Sequence, residues 1–139
     1  ILATESAAVG MTPGTHGSTY GGNPLAVAAA NAVLDVMLED GFMDHVKGIS
    51  GHMMQRISGV IDAHPEIIES VRGQGLLIGL KCKVTNGDLV DALRDEGLLT
   101  VGAADNIVRL IPPLIIDESQ IDEAMAALDR ACEKLEKAG

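Results

Sequence analysis

The feature that most constrains the fold is a helical segment over residues 24–38 that is apolar on almost every side. After the starting proline, the segment consists of leucine, alanine, valine and methionine, apart from two polar positions. These two, Asn31 and Asp35, are followed by Glu39 at the same spacing of four, so together they form one narrow polar stripe. A helix of this kind needs cover around most of its circumference, and we expect much of that cover to be missing when this chain is studied alone.

The start of this helix combines glycines with hydroxyl groups. Asn23 suits the N-cap position because its side-chain oxygen can accept a backbone N–H of the first turn, and Pro24 suits the first helical position. Just upstream, Ser18 and Thr19 stand in a glycine-rich stretch over residues 14–22. Hydroxyl and backbone donors at a helix N-terminus can bind a phosphate or a carboxylate. On the residues alone, the alternative remains open that the stretch is a turn that only caps the helix.

Beyond residue 40 the hydrophobic pattern alternates between helical and extended periods. Further helices are predicted over residues 42–63, over residues 86–96 and after residue 117. Asn86 or Asp88 is expected to cap the second of these helices, and Asp117 with Gln120 resembles a capping box before the third. Strands are predicted over residues 76–82, 98–101 and 107–111, with a short extended piece at 67–71. The pattern predicts an α+β domain, with a small antiparallel or mixed sheet and helices on one face.

Composition excludes several classes of protein. The formal net charge of −10 argues against a nucleic-acid surface, and no apolar run is long enough for a membrane span. Cys82 and Cys132 are interpreted as reduced core thiols, although two cysteines alone leave a disulfide open. The histidines lack ligand spacing, so we predict no metal site; they are His16, His45, His52 and His64.

Arg109 is the second candidate site residue. Strand alternation sets it on the same face as Ile107 and Ile111, where a guanidinium is costly unless a carboxylate meets it. Its planar fork can grip a carboxylate through two parallel hydrogen bonds. The residues alone favour an internal salt bridge over a ligand site, since buried arginines are usually paired within the protein.

Four stretches, taken in order, resemble one enzyme family. Residues 16–26 read His-Gly-Ser-Thr-Tyr-Gly-Gly-Asn-Pro-Leu-Ala, and residues 71–79 read Val-Arg-Gly-Gln-Gly-Leu-Leu-Ile-Gly. Residues 96–99 read Glu-Gly-Leu-Leu, and residues 106–114 read Asn-Ile-Val-Arg-Leu-Ile-Pro-Pro-Leu. Together these stretches resemble the class III aminotransferases, which depend on pyridoxal phosphate, and the resemblance covers nearly the whole chain.

The resemblance implies a domain organisation. Residues 1–22 would be a remnant of the large cofactor-binding domain, and residues 23–40 the interdomain helix. Residues 41–139 would be the C-terminal small domain of a fold-type I aminotransferase. Because the chain opens at Ile1 as if in mid-strand, we expect it to be the C-terminal part of a longer cytoplasmic enzyme.

The resemblance also implies roles for particular residues. Arg109 would bind the substrate α-carboxylate. Thr19, with Ser18 as a weaker candidate, would bind the phosphate of pyridoxal 5′-phosphate in the neighbouring subunit, which implies a homodimer. No lysine of this chain stands in the small-residue setting of the family's Schiff-base lysine. We therefore expect no catalytic residue here, that lysine upstream of Ile1, and a chain that is inactive alone.

The implied activity moves the terminal amine of N-acetylornithine to 2-oxoglutarate in arginine biosynthesis. The expected partners are small amino-acid and 2-oxo-acid substrates, without nucleic acid or membrane. Ornithine or another ω-amine is the alternative donor, because the residues that select the side chain would lie largely upstream. An alternative of another class is a stand-alone α+β regulatory or dimerisation domain, which the nearly all-apolar helix disfavours.

Overall fold

The computed structural model describes residues 3–12, 14–15 and 17–138, which form two compact units, Ile1–Asp40 and Gly41–Gly139. His16, a member of the glycine-rich motif, lies outside the described residues. The assignment of residues 1–22 and 23–40 to a large domain and an interdomain helix stays a prediction.

The first unit contains a short helix, α1 (Glu5–Ala8), and the apolar helix α2 (Pro24–Met37). The predicted start of α2 is confirmed, since the Oδ1 atom of Asn23 accepts a hydrogen bond from the backbone N–H of Ala26 at 2.9 Å. No residue of α2 is buried by the described part of the chain, and Leu25 at its start remains 81% exposed. The helix therefore presents an uncovered apolar surface.

The second unit is built on a four-stranded sheet of order β1-β2-β4-β3. The strands are β1 (Ile68–Gln74), β2 (Leu77–Cys82), β3 (Val101–Ala103) and β4 (Ile107–Leu110). All neighbouring strands are antiparallel, and the central pair β2–β4 sets Leu80 opposite Val108 and Gly79 opposite Arg109. The predicted small sheet is confirmed, and it is purely antiparallel.

Three helices form a layer on one face of this sheet. They are α3 (Phe42–Ala63), α4 (Asn86–Asp95) and α5 (Glu118–Ala138). Helix α3 packs on β1, α4 packs on β3 and β4, and α5 packs on both of the other helices. Alternate residues of β2, namely Ile78, Leu80 and Cys82, are buried on the helical side. No helix of this unit covers the other face, which confirms the α+β fold with helices on one face.

The core between sheet and helices is aliphatic. Its fully buried side chains include Ile57, Leu80, Leu89, Leu93, Val108, Ile121, Leu128 and Cys132. Burying a side chain of this size stabilises a fold by roughly 1.5–3 kcal/mol. Because strands and helices contribute to the same core, this burial orients the sheet and fixes which of its faces stays open.

The N-termini of α5 and α4 can be compared with the predicted capping residues. Asp117 and Gln120 form the capping box at α5, since the Gln120 backbone N–H donates to Asp117 Oδ1 at 2.9 Å and Gln120 Oε1 accepts from the Asp117 N–H at 3.1 Å. The expectation that Asn86 or Asp88 caps α4 is wrong. Thr85 is the N-cap, with its hydroxyl accepting the backbone N–H of Asp88 at 3.2 Å. The Asn86 side chain does not cap the helix because it donates to the backbone carbonyls of Ala103 and Ile107 instead.

The strand predicted over residues 98–101 starts later than expected. Gly97 adopts a left-handed conformation (φ 84°) after α4, and the Leu98 N–H donates to the Leu93 carbonyl at 2.8 Å. The chain at Leu98 therefore still satisfies the helix C-terminus. Pairing with β4 begins only at Val101.

Both cysteines are free and buried, which confirms their interpretation as reduced core thiols. Burial raises the pKa of the Cys132 thiol to about 12, and nearby carboxylates of Glu136 and Asp129 push it in the same direction. Burial also raises the pKa of Cys82. Both sulfurs therefore remain protonated in the folded chain at neutral pH.

His64 links the end of α3 to α5 through two carboxylates. Its ring is 6% exposed, with Nδ1 lying 3.0 Å from Glu136 Oε1 and Nε2 lying 3.0 Å from Asp129 Oδ1. Burial opposes the charged imidazolium, but the hydrogen bonds and charges of Glu136 and Asp129 outweigh it, so the pKa of His64 is raised above 6.5. His64 thus bridges two helices of the layer and keeps its positive charge to a higher pH than an ordinary histidine.

We expect the chain to self-associate through α2, because its exposed leucines and valines gain free energy when they leave water. Leu34→Glu should shift the population toward monomer in light scattering coupled to size exclusion. Ile115→Glu, which adds the same charge at an exposed apolar position of the second unit, is the control. A chain that is strictly monomeric at all accessible concentrations contradicts this prediction.

We expect His64→Gln to lower the free energy of unfolding at pH 6 by about 1–3 kcal/mol, because glutamine cannot carry the charge that pairs with the half-exposed carboxylates of Asp129 and Glu136. Because the pKa of His64 is higher in the folded chain than in the unfolded chain, its charge stabilises the fold. This stabilisation is fully present below the unfolded pKa of 6.5 and is lost as the pH rises through the folded pKa. The deficit of the variant should therefore shrink above that pKa in urea titrations. His45→Gln, an exposed change on the same helix, is the control, and a deficit independent of pH would refute the charged bridge.

Candidate functional site

Arg109 lies on the open face of the sheet. It stands in β4, directly opposite Gly79 of β2 on one side and Val101 of β3 on the other. The residues flanking it in β4, Val108 and Leu110, are buried on the helical side. Strand alternation thus aims Arg109 away from the core, where its side chain is exposed.

This position corrects one expectation from the sequence. A guanidinium enclosed between Ile107 and Ile111 was expected to be desolvated, but Ile111 lies beyond β4 and is 61% exposed. Ile107 is buried, with its side chain next to Gly79, whereas the Arg109 side chain is exposed on a sheet face that no helix of the second unit covers.

Arg109 also differs from the other arginines in its partners. Those four are each paired with a carboxylate, as Arg56–Asp122, Arg72–Asp105, Arg94–Asp91 and Arg130–Glu96. Arg109 forms no ion pair with any residue that the structure describes. The internal salt bridge that the residues alone favoured has therefore no counterpart within the described ranges, and the guanidinium is available to an external anion.

A shallow groove of about 540 Å³ runs beside Arg109 on the open face. Its floor includes Gly79 and the buried side chain of Ile107, and its margins include Arg72 and Leu77. A Cβ atom at Gly79 would lie 3.0 Å from Ile107 Cγ2, so a side chain there would crowd this floor. The missing side chain keeps the space next to Arg109 open.

Asn106 fixes the start of the strand that carries Arg109. It adopts a left-handed conformation (φ 54°), and its Nδ2 atom donates to the carbonyls of Cys82 and Val84, each at 2.8 Å. Its Oδ1 atom accepts the backbone N–H of Asn86 at 2.8 Å. These bonds tie the β3–β4 turn to the end of β2 and to the start of α4.

Asn86 completes this connection from the other side. Its Nδ2 atom donates to the carbonyls of Ala103 and Ile107, at 2.9 and 3.0 Å. The two asparagines were missed as positioning residues. The available signal was the Asp105-Asn106 pair between two predicted strands. Asp and Asn tolerate the left-handed region, and their side chains bond to nearby backbone.

Ser18 and Thr19 lie in the first unit, in the turns that lead to α2. Both side chains are exposed, and neither hydroxyl is engaged in a hydrogen bond within the described part of the chain. The turn is held by backbone bonds, with Gly21 N donating to Ser18 O at 3.3 Å, and by Asn23 Nδ2 donating to Tyr20 O at 2.7 Å. Two unengaged hydroxyls before a capped helix start suit an anion such as a phosphate.

Two other kinds of site were sought over the described ranges. No group of three or more histidine, cysteine or acidic side chains there could hold a metal ion. Within the same ranges, no helix combines the length and apolar character that crossing a bilayer requires.

Comparisons with known proteins point to one family. The family described as "Aminotransferase class-III" matches residues 1–132. Acetylornithine aminotransferase 1 of Bradyrhizobium diazoefficiens is 61% identical over 95% of this chain, and acetylornithine aminotransferase of Brucella melitensis is 52% identical over 96%. The match covers 33% of each of these relatives, so the chain spans about a third of their length.

The solved structures that resemble this chain are also aminotransferases. A crystal structure of acetylornithine aminotransferase from Elizabethkingia anophelis superposes with a TM-score of 0.76 at 33% identity, covering 96% of this chain and 36% of that one. Ornithine delta-aminotransferase of Plasmodium falciparum superposes with a TM-score of 0.80 at 30% identity, covering 99% and 36%. With a family match over nearly its whole length and this fold, the chain belongs to the class III aminotransferases.

Proposed function

We propose that this chain is the C-terminal part of a pyridoxal-phosphate-dependent aminotransferase that moves the terminal amine of N-acetylornithine to 2-oxoglutarate. The names of two similar curated relatives, both acetylornithine aminotransferases, support this donor. The observation that carries the proposal is the exposed Arg109, which has no ion-pair partner among the described residues and stands beside an open groove. A family of enzymes acting on amino acids needs such a carboxylate-binding group.

Arg109 binds the α-carboxylate of the substrate in this proposal. Its fork can form two parallel hydrogen bonds with that group, which fix both the position and the orientation of the substrate. Glutamate and 2-oxoglutarate react at the carbon next to the α-carboxylate, so Arg109 serves the half of the reaction in which these substrates are bound. The crowding that a Cβ would cause at Gly79 supports a role for that glycine in leaving room for the bound carboxylate.

Ser18 and Thr19 hold the phosphate of pyridoxal 5′-phosphate, with Thr19 as the main donor. Their chemistry fits that group, since both hydroxyls are exposed and unengaged within the described ranges. When bound, the cofactor supplies an electron sink that stabilises negative charge on the substrate carbon that carries the amine. We infer that the phosphate belongs to the neighbouring subunit of a homodimer, as the family resemblance implies.

The lysine that holds the cofactor comes from a preceding part of the enzyme. Every lysine of this chain pairs with a carboxylate, as Lys47–Asp44, Lys81–Asp105, Lys83–Glu66, Lys134–Glu96 and Lys137–Glu133. None of them stands in the small-residue setting of the family's Schiff-base lysine, which forms the covalent link to the cofactor. The isolated chain is therefore inactive.

The rest of the assignment follows the same reasoning. Residues 1–22 belong to a large cofactor-binding domain, residues 23–40 to an interdomain helix and residues 41–139 to the small domain. The complete enzyme works in the cytoplasm, in arginine biosynthesis. Family membership argues against the alternative of a stand-alone regulatory or dimerisation domain.

Ornithine or another ω-amine is the second candidate donor, favoured by the similarity to ornithine delta-aminotransferase of Plasmodium falciparum. Steady-state assays of the full-length enzyme with 2-oxoglutarate decide between the donors. We expect a higher kcat/KM for N-acetylornithine than for ornithine, and the reverse order would overturn the proposed donor.

Thr19→Val in the full-length enzyme should weaken retention of pyridoxal phosphate. The change removes one charge-assisted hydrogen bond, which contributes about 1.5–3 kcal/mol, so the dissociation constant should rise roughly tenfold or more. Cofactor loss during dialysis, followed by absorbance, measures the effect. Thr12→Val, a change upstream of the motif, is the control. Wild-type retention in Thr19→Val would show that the hydroxyl does not bind phosphate.

Arg109→Lys in the full-length enzyme should lower kcat/KM for glutamate, which reacts at the carbon next to its α-carboxylate, by roughly tenfold to a hundredfold. Lysine keeps the charge but loses the bidentate fork. Folding and cofactor binding should change little, because the side chain is exposed and unpaired within the described residues. A lower melting temperature with unaltered kinetics would instead assign Arg109 a structural role.

A further inference from the structure

The two asparagines that hold the β3–β4 hairpin differ in the residue that follows them. Asn86 is followed by Gly87, whereas Asn106 is followed by Ile107. An asparagine loses its side-chain amide when the backbone nitrogen of the next residue attacks Cγ, and a following glycine has no Cβ to hinder this approach. A following β-branched residue is bulky and stiff close to that nitrogen. Asn86 therefore stands in the setting that favours amide loss, and Asn106 does not.

The backbone nitrogen of Gly87 is free to react. Helix α4 begins at Asn86, so Gly87 lies in the first turn, where N–H groups have no partner within the helix. The capping hydroxyl of Thr85 accepts the N–H of Asp88 at 3.2 Å, and the N–H of Gly87 forms no hydrogen bond with any residue that the structure describes. Gly87 is also exposed, so water and hydroxide can reach this nitrogen.

The side-chain amide of Asn86 is restrained by the hairpin. Its Nδ2 atom donates to the carbonyls of Ala103 and Ile107 at 2.9 and 3.0 Å. For the reaction, Cγ must turn onto the Gly87 nitrogen, and these two bonds, together with the helical backbone at Asn86, oppose that rotation. Conversion therefore proceeds from conformations in which the hairpin has separated locally from α4, which native proteins visit at a cost below that of global unfolding.

We propose that Asn86 is a site of spontaneous deamidation, and that its conversion weakens the attachment of the β3–β4 hairpin to α4. The Gly87 nitrogen gives its proton to hydroxide and forms a bond to Cγ of Asn86. The bond between Cγ and Nδ2 breaks, and Nδ2 takes a proton from water and leaves as ammonia. The cyclic imide then takes up one water and opens to aspartate or isoaspartate. In sum, one water is consumed and one ammonia is released, without oxidation or reduction.

The product affects the hairpin more than the helix. A carboxylate only accepts hydrogen bonds, so the carbonyls of Ala103 and Ile107 lose their side-chain donor and repel the new charge. A negative charge in the first turn of a helix is favoured by the helix dipole. With aspartate at this position, α4 therefore persists, while the hairpin whose strand β4 carries Arg109 opens more often.

The first test follows the modification itself in the full-length enzyme. After incubation for weeks at mildly alkaline pH and physiological temperature, peptide mapping by mass spectrometry should find aspartate and isoaspartate at position 86 and intact Asn106. Gly87→Ala should abolish the conversion. Alanine fits there, because its Cβ would meet only Thr85 Oγ1 at an ordinary contact distance of 3.8 Å. An Asn86 as stable as Asn106, or conversion at the wild-type rate in Gly87→Ala, overturns the proposal.

The second test measures the consequence through Asn86→Asp, again in the full-length enzyme. Amide hydrogen exchange over residues 101–110 should become roughly tenfold faster, the change expected when side-chain hydrogen bonds are lost from a locally opening unit. Exchange in β1 and α4 should stay as in wild type. Gln55→Glu makes the same change from amide to carboxylate at an exposed position of α3 and is the matched control. Unaltered exchange of the hairpin in Asn86→Asp, or equal acceleration in Gln55→Glu, refutes the link between Asn86 and the hairpin.

Discussion

The antiparallel register between β2 and β4 determines which side chains lie on the open face of the sheet. It sets Leu80 opposite Val108 within the core and Gly79 opposite Arg109 outside it. Side chains alternate along a strand, so a shift of one residue would send Arg109 into the aliphatic core and bring Val108 into water. The free energy of burying Leu80 and Val108, both fully buried, therefore also keeps the arginine exposed. The stability of the core and the exposure of Arg109 depend on the same pairing.

The two asparagines beside β4 reinforce that register with polar contacts. Asn106 bonds to the end of β2, and Asn86 bonds to both strands of the β3–β4 hairpin. Each side chain donates to two backbone carbonyls at or near the strand ends, which adds hydrogen bonds to those of the sheet itself. The strands of the hairpin are only three and four residues long, so these side-chain bonds help to hold the hairpin against its neighbours.

Local signals in the sequence were sufficient for the helices and for the identity of Arg109 as a candidate. Asn23 and the Asp117–Gln120 box act within one helical turn, and the structure has both as predicted. The exposure of Arg109, by contrast, depends on which face the helices cover, and no local pattern encodes that. The pairing of Gly79 with Arg109 could not be predicted for the same reason, since it depends on the register of two strands from distant parts of the chain.

The burial of both cysteines has a practical consequence for studying this protein. Thiol reagents react with the thiolate, and the sulfurs of Cys82 and Cys132 are protonated and shielded from solvent in the folded chain. The two native cysteines of this chain should therefore react only slowly with maleimides. One cysteine introduced on the open face of the sheet would carry a fluorophore or spin label at a single known place, without prior removal of the native thiols.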